Sequence, residues 1–253
     1  MTAFGPALIE AARDYRYLLD RGYPEPSSLA LVGNRHRLDA EERLMLFRGV
    51  ASRADSERRR RRAASPEAGD LVLLDAYNVV FTIVHYYIGK PCFLSSDGCL
   101  RDVGANYGRV AHEELLLRVF SELAAFLGPR SLSIEAFFDA PVSRSGEHAG
   151  ALREAFSVAR IPADVRAEAS ADGAIVARID SLLGTRPGAG SAAGEAGKAG
   201  AGSLLLVASS DSVLVDRAPL AWDLAREFLE ARHGALFPDF GAVLDEEPRE
   251  SEA

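Results

Sequence analysis

Three apolar runs in this chain end at an aspartate. Leu71-Val-Leu-Leu leads into Asp75, Leu132-Ser-Ile-Glu-Ala-Phe-Phe into Asp139, and Leu204-Leu-Leu-Val-Ala into Ser209-Ser210-Asp211. A fourth acid, Asp172, stands in Ala171-Asp172-Gly173 at the expected start of a helix. Four carboxylates in one crevice repel strongly in a low dielectric unless a cation offsets them. An all-oxygen donor set suits Mg2+ or Mn2+. Such ions clamp the attacking and leaving oxygens of a phosphodiester and lower the pKa of a bound water. The expected metal ligands and catalytic residues are therefore Asp75, Asp139, Asp172 and Asp211. Asn78, three residues after Asp75, could orient an aspartate or a phosphate, and Ser210 supports the same turn as Asp211. One strand-end aspartate alone is equally a turn cap; three of them with a helix-start acid favour a site.

The elements that must position these residues follow from periodicity. Continuous apolar runs of four or five suit strands buried on both faces of a parallel sheet. Strands are expected at 71–75, 132–138 and 204–208, a short extended piece at 163–168, and helices at 109–127, 147–159, 172–183 and 221–233. Such alternation gives a mainly parallel sheet with right-handed crossovers, so that all carboxyl ends meet at one edge. Residues 79–88 and 91–95, rich in Val, Ile, Phe and Tyr and split by Gly89-Lys-Pro91, read as a second extended segment or hairpin. Asp97–Asp102 reads as a polar loop. The predicted fold class is α/β, a mainly parallel sheet flanked by helices over 70–240, preceded by a small all-α module over 1–64. In that module helices are expected at 5–21 and 29–33, with a third after the capping box Asp39-Ala-Glu-Glu42. Residues 184–203 read as a flexible Gly/Ala loop. Its Gly197-Lys198 is not a P-loop, since Ala199 stands where Ser or Thr is needed.

Composition narrows the class. The 253 residues are 48% hydrophobic and 26% charged, as in globular proteins. No apolar stretch reaches the ~18–20 residues that cross a bilayer, and the N-terminus lacks the basic-then-apolar pattern of a signal peptide. Cys92 and Cys99 are expected as reduced thiols in a cytoplasmic protein without a membrane partner. The net charge of −8 hides an asymmetry: residues 1–64 carry +4, the remainder −12. The five arginines Arg58 to Arg62 read as an extended linker and a nucleic-acid-binding arm, or as a solvated helix extension. Arg35 and Arg37, with Arg43 and Arg48, could track phosphates in a helix–turn–helix-like module, or pair with Asp39, Glu41 and Glu42. Ser143, Arg144 and Ser145 at a helix start suit a phosphate, or supply an N-cap. Arg101 is a further phosphate candidate, and RNA is the expected partner.

Asp75-Ala-Tyr-Asn78, Asp139, Ala171-Asp172-Gly173 and Ser209-Ser210-Asp211-Ser212 resemble the acidic signature of PIN-like and NYN ribonuclease domains over residues 70–233. Asp97-Gly-Cys-Leu-Arg-Asp102 and Asp139-Ala-Pro-Val-Ser-Arg-Ser-Gly-Glu147, behind Leu31-Val-Gly-Asn-Arg-His-Arg-Leu38, resemble the prokaryotic family of domain of unknown function 434, whose C-terminal half is regarded as PIN-like. The resemblance implies a metal-dependent nuclease fold. The chain departs from the pattern at Ala76, where Gly is frequent, and at Gly173, Ser212 and Val213, where many members carry a further acid; Asp97 or Asp102 could fill that gap. The expected activity is a metal-dependent endoribonuclease; the alternative is a non-catalytic RNA-binding or regulatory protein on the same fold. A haloacid-dehalogenase-like phosphatase is disfavoured because Tyr77 occupies the place of its second aspartate. A serine hydrolase is disfavoured because no Gly-x-Ser-x-Gly elbow surrounds Ser143 or Ser145.

Overall fold

A computed structural model describes residues 4–104, 112–184, 198–200 and 203–245. Four helices open the chain: α1 (Pro6–Leu19), α2 (Glu25–Arg35), α3 (Ala40–Gly49) and α4 (Arg53–Arg60). The capping box forms as expected: Asp39 accepts from the Glu42 N–H at 2.8 Å, and the Glu42 carboxylate accepts from the Asp39 N–H at 3.0 Å. Asp39→Ala removes one acceptor for an orphan helix donor. It is expected to cost ~1 kcal/mol and to lower Tm by about 2–4 °C in a thermal melt.

The rest of the chain runs β1 (Leu71–Asp75), α5 (Ala76–Tyr87), β2 (Cys92–Leu94), β3 (Leu100–Asp102), α6 (Glu113–Leu127), β4 (Ser133–Asp139), α7 (Ser145–Val158), β5 (Ala163–Glu168), α8 (Ala171–Leu183), β6 (Lys198–Gly200), β7 (Ser203–Ala208), α9 (Ser212–Arg217), β8 (Leu220–Trp222), α10 (Leu224–His233) and α11 (Phe240–Asp245). Strands β5, β4, β1, β7 and β8 lie side by side and parallel, and β6 pairs antiparallel with the start of β7. The predicted α/β class and mainly parallel sheet are therefore observed. Helices α5, α6, α7 and α10 bury their apolar residues on one face, against Val72, Leu74, Ala136 and Leu206. Helices α8 and α9 cover the other face, against Leu73, Phe137, Leu205 and Val207. The chain moves outward from β1 to β4 and β5, then returns to the other side of β1 as β7. The order reverses between β1 and β7, and a crevice at such a switch point is where open α/β sheets hold ligands.

The structure corrects several expectations. Residues 76–87 are a helix, not an extended segment or hairpin. Their Val- and Ile-rich composition favours strands on propensity, but Asp75 caps the segment and Val79, Val80, Ile83 and Val84 are all buried. A helix buried nearly all round carries little amphipathic signal. The polar loop at 97–102 holds a strand: β3 pairs with β2 in an antiparallel hairpin. The expected helix 221–233 begins as strand β8, with the helix starting at Leu224. The start of the expected helix 109–127 lies partly outside the described residues, as does most of the Gly/Ala segment 184–203.

The Arg-rich segment is not an extended arm. It forms α4 and the turn after it, and each arginine finds an acceptor. Arg58 and Arg59 reach Asp216, Arg60 lies 3.5 Å from Asp245, Arg61 pairs with Glu57, and Arg62 donates to the carbonyls of Val215 and Asp216. The basic front of the chain is thus matched within the molecule by its acidic remainder. The helical module also shares its core: Leu8, Tyr15, Leu46 and Val50 pack with Phe93, Val103 and Phe240. No helix among the described residues is long and apolar enough to cross a membrane, and both cysteines are free thiols.

Candidate functional site

The parallel register places the acids on one sheet face. Asp75 pairs across with Phe137, and Asp139 is two residues further along β4, so both point to the face covered by α8 and α9. Asp172 stands in the first turn of α8, and Asp211 is the N-cap of α9. Asp75 Oδ2 accepts from Ser209 Oγ at 2.8 Å, and Oδ1 takes a long contact from the Asn78 N–H. Asp139 accepts from the Ala171 N–H at 2.8 Å, tying β4 to the start of α8. Asp211 accepts from the N–H groups of Val213 and Leu214. The cap reading of Asp75 and the site reading describe the same side chain.

The electrostatics distinguish this crevice from a set of helix caps. Burial, and after it the neighbouring Asp172 and Asp211, push the Asp75 carboxyl from 3.8 up to about 8, against the hydrogen bonds from Ser209 and Asn78. Partial burial, followed by Asp211 and Asp139, pushes Asp172 up as well. Among the described residues, Asp75, Asp139, Asp172 and Asp211 form no ion pair with any Lys, Arg or His within 4.0 Å. The four carboxylates thus feel one another and lack a compensating charge, which fits a divalent cation. Among the described residues, no three His, Cys, Asp or Glu side chains stand close enough to form a ready-made metal site. A hard cation that keeps several waters asks for only one or two direct carboxylates, so the donor chemistry fits Mg2+ or Mn2+ without a preformed cage.

The supporting residues fall into two groups. Asn78 holds the turn after β7: its side-chain oxygen accepts from Ser210 N–H at 2.9 Å and from Ser210 Oγ at 3.0 Å. Arg101 donates to the Ser210 carbonyl at 3.1 Å and to Asp97 at 2.8 Å. Asp97 is fully enclosed between Arg101 and Arg59. Burial raises its carboxyl, but Arg101, Ser95 and Arg59 more than offset this and hold it low. Asp97 is committed to an ion-pair network with Arg101 and Arg59. Asp102 accepts from Thr82 Oγ1 at 2.9 Å and the Gly104 N–H at 2.7 Å, and lies 2.8 Å from His85 Nδ1. These hydrogen bonds outweigh its burial and keep it below the ordinary range.

A cavity of ≈ 350 Å³ opens at Asp211, lined by Arg48, Arg101, Asn78, Asp102, Ser210 and Asp211 among others; Asp75, Asp139 and Asp172 do not line it. The remaining phosphate candidates do not line it. Ser145 is buried and donates to the Ala140 carbonyl. Arg144 is paired with Glu113 and Glu147, and Ser143 is exposed. Arg35 lies 3.4 Å from Asp14, and Arg37 is exposed in the left-handed region at φ 54°. Thr82 and His85 are hidden in the sequence because 79–88 reads as extended. Taken at helical spacing, Asn78, Phe81, Thr82 and His85 fall at i, i+3, i+4 and i+7, one face of α5. All four line the cavity.

Residues 7–62 match a family described as protein of unknown function DUF434. Residues 66–227 match one described as domain of unknown function DUF5616. Neither description names an activity. Uncharacterized protein MJ0935 of Methanocaldococcus jannaschii is 29% identical over 154 residues, covering 59% of this chain and 74% of that protein. No solved structure matches the chain. Over residues 66–227, which include all four acids and every strand of the sheet, the chain belongs to the DUF5616 family, and a DUF434 segment precedes it.

Proposed function

We propose that this protein is a metal-dependent endoribonuclease that hydrolyses RNA phosphodiesters at Asp75, Asp139, Asp172 and Asp211. One observation carries the reading. Three strand ends and a helix start bring four mutually repelling carboxylates to the switch point of a parallel sheet, with no cationic side chain paired to them among the described residues. The likeness of this acid order to PIN-like and NYN ribonuclease domains supports the reaction class, and the departures at Gly173, Ser212 and Val213 mark where further acids would stand.

Asp75 and Asp211, with Asp139 and Asp172 around them, would hold Mg2+ or Mn2+; bound there, the ion supplies a nucleophilic water at neutral pH and stabilises charge on the phosphate. Ser209 Oγ donates to Asp75 Oδ2 and fixes its orientation. Asn78 holds Ser210, and through it the turn that carries Asp211. A non-catalytic RNA-binding role is favoured by the lack of a preformed ligand cluster among the described residues.

The test uses purified full-length protein and single-stranded RNA with Mg2+, Mn2+ or EDTA. Cleavage is expected with metal and not with EDTA. Asp211→Asn keeps an N-cap-competent side chain on α9 and is expected to lower the rate at least about a hundredfold while leaving the circular-dichroism spectrum unchanged. RNA binding that weakens with salt, with no metal-dependent turnover of any RNA, would replace this reading with the non-catalytic one.

A further inference from the structure

The cavity at Asp211 is walled on one side by the helical module and on the other by α5, Arg101 and Asp102 of β3, and the turn after β7. Its volume of ≈ 350 Å³ lies at the small-ligand end of protein pockets, which begin at ~300 Å³. Three features of its wall point to the same ligand chemistry.

The first is a guanidinium with uncommitted donors. Arg59 and Arg101 also reach this wall, but their Nε and both Nη groups are taken up by Asp97, Asp216 and backbone carbonyls. Arg48 commits only Nη1, which donates to the Asp102 carbonyl at 2.8 Å and lies 3.7 Å from the Asp102 carboxylate, and its side chain is 35% exposed. Its Nε and Nη2 make no hydrogen bond among the described residues. A planar fork with free N–H groups is suited to phosphate oxygens. The second feature is aromatic. Phe47, the residue before Arg48, is 47% exposed at the cavity, a high value for so large an apolar ring. Phe81 also lines the cavity; it is half-buried and stacks on Tyr77 at 4.9 Å. An exposed ring beside a cationic fork offers a stacking platform for a base. The third is connection: Asp211 belongs to both the cavity wall and the acid cluster.

We infer that this cavity is a nucleotide subsite that takes one nucleotide of a single-stranded RNA next to the scissile bond, its phosphate on Arg48 and its base against Phe47 and Phe81. The subsite takes RNA as its ligand class from the function proposed above, but its binding chemistry does not require metal. It gives the helical module a role: the module supplies the phosphate donor and an exposed ring, while the sheet supplies the acids.

The test is calorimetric titration of the full chain in EDTA with AMP, UMP, adenosine, inorganic phosphate and the 5′-phosphorylated dinucleotide pApA. AMP and UMP are expected to bind, with adenosine and inorganic phosphate each at least about tenfold weaker, since both halves of the site are needed. If pApA binds more tightly than AMP, the site holds a nucleotide of a strand; equal affinity makes it a site for free nucleotides and overturns the strand assignment. Phe47→Ala removes an exposed ring without opening the core, and Arg48→Gln removes the charge; each is expected to weaken AMP about tenfold. Absence of saturable AMP binding, or unchanged affinity in both Phe47→Ala and Arg48→Gln, overturns the subsite. The two readings fail separately: AMP binding without RNA cleavage removes only the nuclease, and RNA cleavage with unaltered KM in both variants removes only the subsite.

Discussion

In EDTA, the thermal stability of the protein is expected to fall as pH rises from 5 to 8, and Asp75→Asn is expected to remove most of that fall. The Asp75 carboxyl has an ordinary value of 3.8 and is pushed up to about 8 by burial and by the nearby Asp172 and Asp211. Between these values the folded chain keeps the proton while the unfolded chain has lost it. The folded state then binds more protons, so stability is full below pH 3.8 and is lost as pH rises through the folded value near 8. At ~1.4 kcal/mol for each pH unit traversed, the loss has an upper bound on the order of 5 kcal/mol. Asp172 shifts in the same direction and adds to the slope. A divalent cation that binds the ionised carboxylates reverses the trend, because it stabilises the folded state most where those groups have lost their protons. Millimolar Mn2+ is therefore expected to raise Tm strongly at pH 8 and little at pH 5. Asparagine at position 75 keeps one acceptor oxygen for the Ser209 hydroxyl or the Asn78 N–H and removes the charge, so the variant should be more stable than the parent at pH 8 in EDTA and largely indifferent to Mn2+. Parallel pH profiles of parent and variant in EDTA would show that Asp75 is not a strained carboxyl. An equal Mn2+ response in the two would show that the ion binds elsewhere.

The pattern of apolar run followed by aspartate is legible in the sequence because it is local. A buried parallel strand announces itself by four or five consecutive aliphatic residues, and the residue that ends it lies at the sheet edge whatever the strand order. The amino-acid order alone therefore assigns Asp75, Asp139 and Asp211 to one edge, and their mutual influence follows from that edge. Strand order is not legible. That β7 lies beside β1, so that Ser209 reaches Asp75, depends on how the crossovers pack. Helix α5 misleads because Val79, Val80, Thr82, Ile83 and Val84 are β-branched, and the burial that overrides their propensity comes from elements far away in sequence. The arginines of α4 mislead for a related reason. A run of like charge extends only if its neighbours are solvent, and here Asp97, Asp216 and Asp245, 38 to 185 residues distant, are its neighbours. The cavity is illegible as a whole because its two walls come from the helical module and from the alternating domain after it, although the face of α5 that lines it is written in the spacing from Asn78 to His85.

The largest purely structural effect is expected at Asp97, not at any of the four acids. Its side chain is fully enclosed, paired with Arg59 Nη1 at 3.2 Å and Arg101 Nη2 at 2.8 Å, and hydrogen-bonded to Ser95 and to the Cys99 N–H. Arg59 keeps a second acid, Asp216, but Arg101 has only carbonyl acceptors besides Asp97: Ser210 and Arg48. Asp97→Ala thus leaves a guanidinium that is 11% exposed without a counter-charge. Removing one partner of a buried ion pair costs ~3–5 kcal/mol, most of it from the charge left behind. Urea unfolding of Asp97→Ala should show that loss. The double variant Asp97→Ala with Arg101→Met, which removes both charges, should be less destabilised than the sum of the single variants, because the stranded charge goes with its partner. Arg101 also spans the junction: it ties β3 to the end of α3 through the Arg48 carbonyl and to the Asp211 turn through the Ser210 carbonyl. Loss of Asp97 is therefore expected to weaken AMP binding as well as stability, whereas a direct metal ligand would affect metal affinity first. If Asp97→Ala keeps its stability but loses its Mn2+-induced rise in Tm, Asp97 belongs with the metal ligands and the ion-pair assignment fails.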